Sequence, residues 1–158
     1  MLNIQKSLAK LLEFLTVEII ELSVTSDFNL YDTSNDSKII LKRTGFICEV
    51  SGQVKPKSTI TGSSTTVRIC TIPSGYRPAR TVQKIQQGSG NAEWLGAVRG
   101  SDGAVNFSRY RDTANASGAF KNCDTNQWLP FHFIWIVGGV IRSISNALST
   151  PERGCAVC

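Results

Sequence analysis

The residues in this chain that could carry out chemistry are few and scattered. Its single histidine, His132, lies inside the apolar run from Trp128 to Val137, and one imidazole cannot build a zinc site without cysteines at ligand spacing. Cys155-Ala-Val-Cys158 has the spacing of a metal or redox pair, but no second pair accompanies it. It also matches the outline of a prenylation box, without the basic flanks such boxes usually carry. Serines are plentiful, yet no Gly-x-Ser-x-Gly elbow occurs, so a Ser-His-acid triad would have to recruit His132. Asp102, Asp112, Asp124 and Glu93 could supply a carboxylate pair for glycoside cleavage, although carboxylates in loops are usually only solvated. Gly100 and Gly103 lack the lysine of a phosphate loop. The expectation is a protein that is not an enzyme and has no catalytic residue, metal or cofactor.

What remains is a set of aromatic and cationic residues near turns: Trp94, Arg109, Tyr110, Arg111 and Trp128. Such groups stack on sugar rings or hold anionic polymers. The plainer alternative, and the favoured one, is that both tryptophans are core, because large aromatic side chains dominate buried surface.

These residues depend on a succession of short extended segments for their positions. Ile39 to Leu41 comes first, then Phe46 to Val54, in which Phe46, Cys48 and Val50 share one face and Glu49 takes the other. Ser64 to Ile72, rich in β-branched residues, leads into Pro73-Ser-Gly-Tyr-Arg-Pro78. There Pro73 cannot donate a hydrogen bond, Gly75 can take a tight turn, and Pro78 keeps Arg77 extended. That corner is expected to carry the chain from one sheet to another. Thr81 to Gln86 and Ala92 to Arg99 follow, and Val98 to Phe107 reads as a hairpin turning at Asp102-Gly103. Asp112 to Thr125 is a polar loop. In the last strand, Trp128 to Val137, Phe131, Phe133 and Trp135 lie on one face and Ile134 and Ile136 on the other. Both faces are therefore expected to be covered, by two layers or by a neighbouring subunit. Strands recurring every 8 to 12 residues or so are the signature of an all-β sandwich or barrel, and the fold expected is an antiparallel sandwich, either a jelly roll or a simpler one.

Residues 1 to 24 differ from the rest. Leu8, Leu12, Leu15, Ile19 and Leu22 follow the four-three spacing of a coiled-coil seam, and Ile4 and Leu11 widen the stripe towards three or more helices. This predicts an oligomerisation helix over 1–24, a Ser/Asp/Asn-rich neck over 25–37, the β-head over 38–138 and a tail over 139–158. The alternative for the helix is that it folds back on its own domain.

At 158 residues the chain is long enough for one domain with its own core, and 41% hydrophobic and 18% charged residues are ordinary globular values. The net charge of +5 is spread thinly, so no basic stripe for nucleic acid is expected, though contact with an anionic surface polymer is favoured. Five widely spaced cysteines, an odd number, argue against a disulfide scaffold and for folding in a reducing cytoplasm. No secretory leader is expected, and no apolar run approaches the roughly 20 residues of a membrane helix, so no membrane partner is expected.

Ile72-Pro-Ser-Gly-Tyr-Arg-Pro78, an alternating strand, the hairpin Val98-x-x-x-Asp-Gly-x-Val105 and an aromatic closing strand together resemble the carboxy-terminal module of tail, baseplate and head-fibre proteins of bacteriophages and prophages of Gram-positive hosts. The resemblance covers about Phe46 to Gly138. It implies a trimeric β-sandwich head on a helical or fibrous stalk, in some members similar to the complement and tumour-necrosis-factor jelly roll, assembled in the bacterial host cytoplasm onto the virion. The partners implied are sister chains, other virion proteins and host cell-wall carbohydrate. No catalytic residue is implied. A decoration or assembly protein docking onto another phage protein is the second reading, and a polymer-degrading enzyme the third.

Overall fold

The computed structural model describes residues 2–62, 66–112 and 119–137. Among these residues one α-helix, α1 (Leu2–Leu15), precedes nine strands: β1 (Val17–Leu22), β2 (Phe28–Leu30), β3 (Ile39–Thr44), β4 (Ile47–Pro56), β5 (Val67–Thr71), β6 (Val82–Gln87), β7 (Glu93–Val98), β8 (Ala104–Arg111) and β9 (Leu129–Ile136). All pairings are antiparallel. One sheet runs β1-β3-β4-β2 with β9 on the other side of β4; the second runs β5-β8-β7-β6. The two form a sandwich-like all-β fold, as the strand pattern predicts.

Period-2 alternation places the core. Cys48, Val50 and Val54 of β4, with Leu129, Phe131, Phe133 and Trp135 of β9, face Trp94 and Val98 of β7 and Val105 and Phe107 of β8 in one buried cluster. Cys48, Cys70 and Cys123 are free thiols in this interior. Burial pushes Cys70 and Cys123 up to about 12, so the nucleophilic thiolate is scarcely populated. Asp102 caps the β7–β8 hairpin by accepting from the Ala104 amide while binding Arg99 and Arg68. The Arg99 hydrogen bond, then the Ala104 amide, holds its carboxyl well below the usual carboxylate range. The stability it contributes is complete above the ordinary value of 3.8 and is lost as pH falls through the lower folded value.

Gly103 completes the turn in the left-handed region, at φ 73°. A methyl group there would also strike the Ile72 carbonyl oxygen and approach Arg77 Nε to 2.7 Å. Gly103→Ala is therefore expected to destabilise by about 2 kcal/mol or more. A urea unfolding free energy lowered by less than about 0.5 kcal/mol, at unchanged slope, would show that the turn relaxes freely.

Three expectations for the amino-terminal residues are corrected. The helix stops at Leu15, where Thr16 Oγ1 donates to the Leu12 carbonyl, and does not extend to residue 24. Val17-Glu-Ile-Ile-Glu-Leu22 is rich in β-branched residues and pairs with the β3 edge from Val17↔Thr44 to Leu22↔Ile39. Ile19 and Leu22 are thus strand residues: Leu22 packs on the core, whereas Ile19 is 62% exposed on the outer face. The stretch 25–37, expected to be a neck, contributes β2 to the five-stranded sheet and buries Phe28.

The proline corner does not switch sheets, because β5 and β6 are opposite edges of the same sheet. Pro73–Arg80 instead crosses the end of the sandwich and ties to the other sheet there. Trp135 Nε1 donates to the Tyr76 carbonyl, the Tyr76 hydroxyl donates to Glu18, and Pro78 bridges Val137.

The last strand is covered on its inner face only, since Ile134 and Ile136 (70% exposed) lie bare on the outside. Two layers of this chain do not enclose it. Register sets Val17, Thr44, Ile47 and Ile136 in one row across that outer face, and Ile19, Lys42, Glu49 and Ile134 in the next. The tail expected over 139–158 lies outside the described residues.

Candidate binding cleft

The phase of β8 breaks near its end. Val105 and Phe107 point inward opposite Val98 and Gly96, and Ser108 points outward opposite Leu95. Strict alternation would turn Arg109 into the core. The register shifts instead: Leu95 opposes Ser108 and Glu93 opposes Arg111, so Arg109 and Tyr110 together face the single residue Trp94. Arg109 absorbs the extra residue at φ 55°, the only positive φ at a non-glycine among the described residues. The bulge expels Arg109 to the surface and brings Tyr110 into the core.

A small cleft opens beside the bulge, with a volume of about 140 Å³. Ile85 and Leu95, paired across β6 and β7, and Phe120 give it apolar surface, while Arg109, Arg111 and Glu93 supply charge. The guanidinium of Arg111 lies 5.2 Å from the centroid of the Phe120 ring, a cation–π contact that orients its plane. No carboxylate lies within 4.0 Å of either guanidinium among the described residues. Other arginines are occupied: Arg68 and Arg99 by Asp102, Arg77 by the Ile72 carbonyl, and Arg43 by the Gly45 carbonyl.

Of the five residues singled out in the sequence, Arg109 and Arg111 reach the cleft as exposed cations. Trp94 also borders it but is a core residue, 1% exposed and 5.2 Å from Phe107, and its Nε1 is buried without a partner among the described residues. Tyr110 is core as well: its hydroxyl donates to Gln127, and burial pushes it up to about 12. Trp128 does not line the cleft; it is half-buried beside Tyr31, with Nε1 donating to Gln53 Oε1 at 2.8 Å. Sequence reasoning missed Ile85, Leu95 and Phe120. The first two could have been found, since they are the apolar residues on the outward phase of β6 and β7.

The remaining chemistry candidates are not assembled. His132 Nε2 lies 3.3 Å from Glu49 Oε1 on the outer face of the five-stranded sheet. Asp124 accepts from Thr59, and Asp102 is engaged in the hairpin. Among the described residues no three His, Cys, Asp or Glu side chains cluster as metal ligands. No helix there is long and apolar enough to cross a membrane. Cys155 and Cys158 lie outside the described residues. A broader groove of about 450 Å³ crosses the outer face between Lys38, Lys42, Ser51 and Gln53, but Lys38 there is already paired with Glu21.

The sequence matches no family model and no curated protein. Among solved structures, the fold is similar to the receptor binding protein (gp15) of Listeria phage PSA, with a TM-score of 0.53 and 14% identity over 87% of this chain and 74% of that one. At that identity, what the two chains share is the fold.

Proposed function

We propose that this chain is a phage host-attachment protein: a virion appendage whose β-head binds host cell-surface glycan and whose amino-terminal helix gathers three copies. The observation that carries the reading is the fold shared with a phage receptor binding protein across most of the chain. Two features of the chain support it. The face of α1 bearing Ile4, Leu8, Leu11, Leu12 and Leu15 is exposed, as an assembling helix requires. The head also offers a cleft that joins apolar surface to charge, the composition of a sugar site. Three copies of a weak site raise avidity without any new contact.

The test is binding of fluorescently labelled protein to purified cell walls from a panel of Gram-positive bacteria that includes Listeria. Saturable binding to some walls and not others is expected. If the protein binds none of them but is captured by a phage tail or capsid protein, the decoration reading takes its place.

A further inference from the structure

We infer that the cleft beside the β8 bulge takes an anionic substituent of the glycan, a carboxylate or a phosphate, between the guanidiniums of Arg109 and Arg111. This deepens the host-glycan reading and rests on it.

Three observations converge. A β-bulge with a non-glycine residue in the left-handed region costs free energy, and such strain persists where a function or the surrounding structure holds it. Here its effect is to place one guanidinium at the mouth of a cleft that already holds a second. Both cations lack an ion-pair partner among the described residues, whereas Arg68 and Arg99 share Asp102. Guanidiniums present planar, paired N–H donors that match the oxygens of carboxylate and phosphate.

The remaining lining argues for a sugar that carries the anion and against a bare anion. Leu95, Ile85 and Phe120 provide a surface for carbon-bound hydrogens. Glu93 adds an acceptor for hydroxyl groups and would repel a bare anion. A volume of about 140 Å³ fits one sugar-sized group, well below the roughly 300 Å³ where sites for drug-sized ligands begin.

The experiment compares binding of the full chain to untreated walls, to walls stripped of phosphodiester with hydrofluoric acid, and to walls whose carboxyls have been amidated. One treatment is expected to abolish most binding, and which one identifies the source of the anion. Arg109→Gln and Arg111→Gln are each expected to weaken binding to untreated walls about tenfold, the loss of one charge-assisted contact. Arg80→Gln, outside the cleft, serves as the control. Arg109→Gly separates folding from function. Glycine accepts the left-handed backbone, so the melting temperature is expected to hold or rise while binding still falls. Cleft variants that bind like wild type, or walls that retain full binding after both treatments, overturn the inference and leave glycan attachment standing. Wild-type protein that binds no wall overturns both.

Discussion

Phe133→Ala is expected to destabilise the protein by about 3–5 kcal/mol, and Gly96→Ala in the same background to recover part of that loss. Phe133 sits on β9 at the centre of the core, 2% exposed. Its ring occupies the space above Gly96 of β7 in the facing sheet: a Cβ on Gly96 would come within 2.6 Å of Phe133 Cζ and 3.1 Å of Trp94 Cζ3. Gly96 is therefore a glycine for reasons of packing, since a glycine inside a strand marks a close approach. Alone, Gly96→Ala must push the ring aside, at a cost of about 1–3 kcal/mol. With the ring gone, the methyl enters vacated space and its sign reverses. Urea denaturation of the two single variants and the double variant, at one fixed protein concentration, measures the coupling. Costs that simply add, within about 0.5 kcal/mol, would mean that the ring does not fill that space.

On the assembly through α1 proposed above, replacing Leu8, Leu12 and Leu15 together with serine is expected to lower the mass measured by light scattering to the 17.2 kDa of a single chain, and a wild-type mass of one chain would overturn that assembly. A 14-residue helix is near the length at which isolated helices are marginal. This one has no acidic residue in its first turn and no basic residue in its last to offset its dipole. Its leucines are exposed within the chain, Leu15 at 69%, so burial between copies is the term that would hold it helical. The row of Val17, Ile47 and Ile136 on the outer sheet face begins immediately after the helix and supplies the contrasting variant. Ile134→Ser with Ile136→Ser is expected to leave the mass unchanged. Should these sheet substitutions dissociate the protein while the helix substitutions do not, assembly resides in the head.

Elements with a local cause can be read from the residues alone. Alternation in Cys48 to Val54 and Leu129 to Trp135 sets which side chains enter the core, although Phe46, expected on the face of Cys48 and Val50, precedes β4 and is 54% exposed; Asp102-Gly103 sets the hairpin, because strand period and turn chemistry act over a few residues. The end of the helix was not legible, since Leu15, Ile19 and Leu22 keep the coiled-coil spacing while Val17 to Leu22 also suits a strand. The free edge of β3 decided between them by pairing that backbone. The candidate site divided in the same way. Arg109 and Arg111 stood out as cations beside aromatic residues, but whether Arg109 or Tyr110 faces solvent depends on the two-against-one pairing with Trp94, and Trp94 lies on another strand. Register between strands is a property of the assembled sheets. Only the tertiary structure could send the arginine outward and the tyrosine in.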